Sequence, residues 1–141
     1  MGIEDFFGHI WEFLDGIALF YTASGVGTAY KCTNYNQFAN GADADGVPPD
    51  GYETVGALTA SGYVKEMHLG EIVPKTVGGT GVGSDTYYCD YHYASTSAGW
   101  RVALVGGGLI DGVNSGPFCL SFYDSSARRL TDLGVRLGLY L

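Results

Sequence analysis

The chain has 141 residues with 15 acidic and 7 basic side chains, a formal net charge of -8. That length holds one core of useful size and not two, and the negative balance argues against non-specific nucleic-acid binding and against a polybasic membrane patch. With 46% hydrophobic and 16% charged residues the chain is globular rather than disordered, and its 23 glycines follow no Gly-X-Y period, which excludes collagen.

The first residues carry Glu4 and Asp5, which suit a first helical turn, so a short helical turn is expected up to about Gly8. A strand is expected to begin near Ile10. Residues 17–22 and 28–33 flank Ser24-Gly25-Val26-Gly27 and read as a hairpin. Residues 34–51 are loop-like. A short strand is expected from Tyr52 to Leu58, and residues 63–69 alternate apolar with polar at several positions. Residues 78–84 read as a glycine-rich surface loop. Residues 86–93, with four tyrosines around Cys89, read as a strand. Residues 100–105 form the clearest buried strand and stop at Gly106-Gly107-Gly108. Residues 109–132 show little periodicity. The closing run 133–141 reads as a strand buried on both faces except at Arg136. Trp11, Trp100, Val102, Leu104, Val135 and Leu137 are expected in the core. Many short strands with little helix predict an α+β or mainly β single domain over 1–141.

No apolar run reaches the length of a membrane span, and no basic n-region of a secretory leader is present. Three cysteines, Cys32, Cys89 and Cys119, allow at most one disulfide. Metal chemistry finds little purchase. Asp43-Ala-Asp45-Gly46, with Asp50 and Glu53 following, resembles a fragment of a calcium loop, yet Gly41 stands at the first ligand position; a solvated acidic turn is the better reading. His9, His68, His92 and the cysteines lack zinc spacing. Cys89 and His92, three apart, would fall on opposite faces of a strand. The loop Gly78-Gly79-Thr80-Gly81-Val82-Gly83 lacks the Lys-Ser/Thr of a phosphate cradle. A recognition surface is the surviving candidate. Residues 109–130 mix large apolar, aromatic and cationic side chains with Gly112, Gly116 and Pro117. An irregular covering loop with a partly buried apolar side fits that composition equally well.

Trp100-Arg-Val-Ala-Leu-Val-Gly-Gly107 followed by Leu133-Gly-Val-Arg136-Leu resembles the final section of the formylglycine-generating-enzyme type of C-type-lectin fold. Gly8-His-Ile-Trp11-Glu12-Phe13 resembles the Gly-Asn-Val-Trp-Glu-Trp element of the same superfamily. More narrowly, the opening Gly2-Ile-Glu-Asp-Phe-Phe-Gly-His-Ile-Trp11, the hairpin bearing Cys32, the tyrosine-rich strand around Cys89 and the Val-Gly-Gly ending resemble, in order and spacing, a family of gut phage and prophage proteins. Proteins with this ending are often variable proteins of diversity-generating retroelements, in which adenines of a template repeat are mutated during copying. Against an asparagine-rich template, Ile110, Asp111, Asn114, Ser121, Tyr123, Asp124, Arg128, Leu130 and Asp132 fall where AAY codons would sit, and each residue is reachable by changing adenines.

The resemblance implies an α+β, C-type-lectin-like fold of short antiparallel strands, little helix and long loops, with a variable ligand-binding segment over 108–132. Those nine positions are then the ligand contacts. Tyr123, Arg128 and Leu130 would anchor the ligand, and Asp111, Asp124 and Asp132 would set charge specificity; alternation over Arg128, Leu130 and Asp132 would point them outward. Gly106, Gly107, Gly112, Gly116, Gly134 and Arg136 would be scaffold. The copper-binding cysteine pair of the oxidase members and the Glu-Pro-Asn calcium motif are missing, so neither a metal nor another cofactor is expected. Met1 lies within the family's usual opening, which implies a domain excised from a longer protein. The implied role is a non-enzymatic ligand- or receptor-binding domain on a virion (phage tail) or at a cell surface. Its partner is a host-cell surface protein or glycan, not nucleic acid and not a membrane interior, and a homo-oligomer is compatible. The alternative is a structural virion protein whose loop mediates subunit assembly. An enzyme ranks third, because no acid–base or nucleophile constellation is legible.

Overall fold

A computed structural model describes residues 8–34, 36–39, 45–58, 60–68, 72–78, 88 and 90–134. Among them run nine strands: β1 (Trp11–Tyr21), β2 (Gly27–Cys32), β3 (Tyr52–Leu58), β4 (Gly62–Met67), β5 (Pro74–Val77), β6 (Tyr91–Ala94), β7 (Gly99–Gly106), β8 (Gly116–Phe122) and β9 (Leu133–Gly134). They form one sheet in the order β3-β2-β1-β7-β8-β6-β4-β5, and β9 joins the start of β1 in parallel. The two ends of that order, β3 and β5, approach each other, and the sheet curls into a nearly closed barrel.

The α+β expectation is therefore wrong, and with it the C-type-lectin-like assignment. Strands take 51% of the described residues, and the 6% that is helical is a short 3-10 stretch, Leu109–Asn114, kinked at Gly112 (φ +55). The physical reason lies in the spacing of breakers. Gly, Pro and Asn-Gly interrupt the chain every few residues, and the runs between them are rich in Tyr, Val, Thr and Phe, which fit a pleated surface better than a helix. The helical turn expected before Gly8 lies outside the described residues.

The hairpin of β1 and β2 is present, but its first arm and the strand expected near Ile10 are one continuous strand. Gly16 joins the two halves at φ +84, a value that favours glycine, where the pairing of β1 with β7 shifts register between Leu14 and Ala18. The shift changes which residues face inward. Before it, Trp11 and Phe13 lie on the outer face and Leu14 on the inner; after it, Ile17, Leu19 and Tyr21 face inward. β3 spans Tyr52–Leu58 as expected. β8, in contrast, was expected to be irregular chain, yet it is a central strand between β7 and β6. Of the expected closing strand only β9 is described; residues 135–141, including Val135, Arg136 and Leu137, lie outside the described residues, as do most of 86–90 and the loop residues 79–84.

The barrel interior holds Leu19, Tyr21, Ala29, Leu58, Ala103, Leu120 and Phe122. A second apolar layer, Trp11, Leu104 and Cys119 with Phe13, Tyr91, Tyr93 and Leu133, lies on the outer face of β1, β7, β8 and β6. A third, around Ala18, Tyr30 and Tyr52, includes the half-buried Trp100.

His92 is wholly buried among the inner residues, with Phe122 at 5.6 Å between ring centroids, and neither ring nitrogen has a hydrogen-bond partner. Burial pushes its pKa down to about 4, against a weaker opposing pull from the Leu120 backbone. A histidine with a depressed folded value binds its proton better in the unfolded chain. Its contribution is complete above about pH 6.5 and is lost as the pH falls toward 4, by about 3 kcal/mol in all. Urea midpoints measured between pH 7 and 4 should fall accordingly, and His92→Leu should flatten that slope.

Candidate functional site

β7 runs out at Gly106, and the chain turns back across the outer face of the sheet. Gly107 makes that turn at φ +80, and a Cβ there would press on the side chain and backbone of Ser115, consistent with a scaffold role. The 3-10 turn follows, and its polar side chains bond inward. Asp111 accepts the Gly108 N–H at 2.6 Å through Oδ2 and the Tyr93 hydroxyl at 3.0 Å through Oδ1. Asn114 accepts the Tyr63 hydroxyl at 2.9 Å and donates through Nδ2 to the Tyr93 oxygen at 3.2 Å. The Ser115 hydroxyl donates to the Gly108 carbonyl at 2.9 Å. Burial raises the Tyr93 phenol well above its ordinary pKa, so it stays a donor to Asp111.

The tyrosines beneath the turn form a packed row. Tyr63 meets Tyr91 edge-on at 5.1 Å, Tyr91 meets Tyr93 at 4.6 Å, and Tyr93 meets Trp11 edge-on at 5.7 Å. This row is the outer face of β4, β6 and β1, and strand alternation puts it there. The turn's apolar residues point the other way. Leu109 is 72% exposed, Ile110 89% and Val113 85%.

The second half of the segment leaves the sheet after Phe122, which is fully buried. Its neighbour Tyr123 is 58% exposed. The backbone carbonyl of Asp124 accepts the Val102 N–H at 3.1 Å, and its carboxylate pairs with Arg128 Nε at 3.3 Å. Arg128 is half exposed, so this pair contributes little, about 0–1 kcal/mol. Leu130 is exposed; Asp132 is partly buried and its carbonyl accepts the Trp11 N–H at 2.7 Å. The strand-like alternation expected over 128–132 is absent. Residues 123–132 form bends and turns, closed by the Arg128 N–H on the Ser125 carbonyl.

The nine positions nominated from sequence thus divide. Ile110, Tyr123, Arg128 and Leu130 are displayed. Asp111 and Asn114 are tied to the tyrosine row. Asp124 and Asp132 are partly covered and hold backbone contacts. Ser121, on β8, is only 4% exposed. Four of the nine, Asp111, Ser121, Tyr123 and Asp124, meet Trp11, Tyr93 and Leu104 around one cavity of about 140 Å³. Leu109 and Val113 were not among the nine, although both are strongly displayed; apolar residues flanking Gly112 in a segment with no helical or strand period were the available signal.

Cys119 is buried, and burial pushes its thiol up to about 12, so it is not a nucleophile at neutral pH. Cys32 is free and donates to the Asn34 carbonyl at 2.9 Å. No group of three or more metal-ligating side chains occurs among the described residues; Asp43, Gly41, Cys89 and the loop 79–83 lie outside them. No described helix is long and apolar enough to cross a membrane.

Asp111→Ala should lower stability by about 1–3 kcal/mol, because it strands the Gly108 N–H and the Tyr93 hydroxyl. Ile110→Ala, one residue away, should stay within about 0.5 kcal/mol. Urea denaturation of the two variants checks this contrast. Compared with family models, with curated proteins and with solved structures, the chain matches none.

Proposed function

We propose that this chain is a non-enzymatic binding domain. Its recognition face is the 3-10 turn together with residues 123–132, carried on a virion or displayed at a cell surface. One observation supports this above the others: Leu109, Ile110 and Val113 stand in solvent on a turn whose polar side chains bond inward. Soluble domains seldom hold neighbouring large apolar residues in water without a partner for them, and a pinned turn loses little conformational freedom when that partner arrives. An apolar tip of this kind favours a protein partner over a glycan.

Among the described residues Ile110, Tyr123 and Leu130 carry no side-chain hydrogen bond to the frame, so exchanging them leaves the frame's own hydrogen bonds in place. A segment diversified by a retroelement needs that property, and diversification is part of the proposal. Its genomic sign is a near-copy of the DNA encoding residues 100–137 that differs at adenines and lies beside a reverse transcriptase gene.

The alternative is a structural virion protein in which the same tip packs against a neighbouring subunit. The two readings separate in solution. A binding domain selects peptides from a random display library, and the double variant Ile110→Ala/Tyr123→Ala weakens the selected peptides about a hundredfold while keeping the wild-type urea midpoint. Self-association lost in that same variant, with no peptides selected, supports the subunit contact and contradicts the binding domain.

A further inference from the structure

The inner face of the sheet is not filled at every level. At the end where β7 and β4 finish and β8 and β5 begin, it borders a cavity of about 360 Å³. Strand alternation sets the lining. Tyr63, Leu104 and Cys119 pack outward, so Val64, Val105, Phe118 and Leu120 turn inward and line this space. Val105 and Leu120 join it to the packed core. Phe118 points the same way and is 68% exposed, so an inward-facing ring meets open space here instead of a neighbour. Val64 fixes two more members of the wall: its carbonyl accepts the Tyr88 N–H and its N–H donates to the Asp90 carbonyl, both at 3.1 Å. With Met67, the wall presents two aromatic rings and a thioether around an apolar space. Among the described residues that line it, Asp90 is the one charged group.

We propose that this cavity binds a free, uncharged aromatic molecule of one or two small rings. A concave apolar space in the mouth of a barrel is a common seat for a small molecule. A dry apolar cavity of about 150 Å³ already takes up benzene, and about 360 Å³ has room for a second fused ring. The Phe118 and Tyr88 rings offer edge and face contacts, and the Met67 sulfur favours a ring edge. Charge selects against acids, because an anion would meet Asp90 and a chain of net charge -8. Burial pushes the Asp90 carboxyl above its usual range, against a weaker opposing pull from the Phe118 backbone, so the site is poor in the water that a second charge needs. A single carboxylate that already accepts the Phe118 N–H does not offset the hydration an ammonium would lose. The cavity uses no residue of the Leu109–Asn114 turn or of 123–132, so its occupancy is independent of the recognition face.

NMR titration of the whole chain with indole, indole-3-carboxylate and tryptamine tests the proposal. Indole should shift the backbone amides of Val64, Val105 and Leu120 in a saturable way, with the carboxylate and the amine each about tenfold weaker or worse. Phe118→Ala, at an exposed position, should keep the urea midpoint and weaken indole about tenfold. Asp90→Asn should leave indole within about twofold and bring the carboxylate to within about threefold of it. Four results overturn the proposal: no saturable response at those amides, shifts confined to the Leu109–Asn114 turn, equal binding of indole and indole-3-carboxylate by the unaltered chain, or undiminished indole binding by a folded Phe118→Ala.

Discussion

The carboxylate of Asp111 joins two parts of the molecule that sequence keeps 18 residues apart. One oxygen closes the 3-10 turn on the Gly108 N–H, and the other receives the Tyr93 hydroxyl from the sheet below. Asn114 repeats the arrangement one turn later with Tyr63 and Tyr93. These bonds matter because the sheet has two apolar faces at this place. The register shift near Gly16 turns Trp11 outward while Leu19 and Tyr21 fill the barrel. An outer layer of Trp11, Leu104 and Cys119 has to be covered, and the segment after β7 covers it. Position and conformation of that segment follow from what lies beneath it.

The same bonds decide what the segment shows to water. With Asp111, Asn114 and Ser115 committed inward, the short turn has Leu109, Ile110 and Val113 left for its outer side. Burying three such side chains would contribute roughly 5–9 kcal/mol. Association alone costs on the order of 4–15 kcal/mol. The tip by itself would therefore give at best a weak complex, and the proposed binding role needs Tyr123 and Leu130 as well. That arithmetic favours a recognition face of several small regions rather than a single apolar spike.

Much of the strand pattern was legible from residue order. The Tyr52–Leu58 strand, the first hairpin and the strand ending at the triple glycine all announce themselves through apolar runs bounded by turn residues. β8 did not. It opens on Gly116-Pro117, residues that mark loops, and then alternates Cys119 and Ser121 outward with Leu120 and Phe122 inward. From Cys119 to Phe122 it is buried on both sides, and its one exposed side chain, Phe118, is apolar, so no polar face reveals a period. β5 is four residues long and begins with Pro74, too short for any pattern. The helical component was expected from the family resemblance and from Glu4 and Asp5; the stretch before Gly8 lies outside the described residues, and the described ones are helical only at Leu109–Asn114. Within the site, sequence put the nine nominated positions in one segment but did not separate Asp111 from Asp124. Both are aspartates in irregular chain, and only the position of Tyr93 makes one a joint and the other a partly open carboxylate.

Native-state hydrogen exchange at the Gly108 amide tests the pinned turn most directly. A turn held by Asp111 should slow that amide by about a hundredfold or more relative to unstructured chain, with the Ser115 amide, bonded to the Gly112 carbonyl, slowed alongside it. Exchange of both at the rate of unstructured chain, in a molecule whose β7 and β8 amides remain protected, would contradict a turn pinned by Asp111.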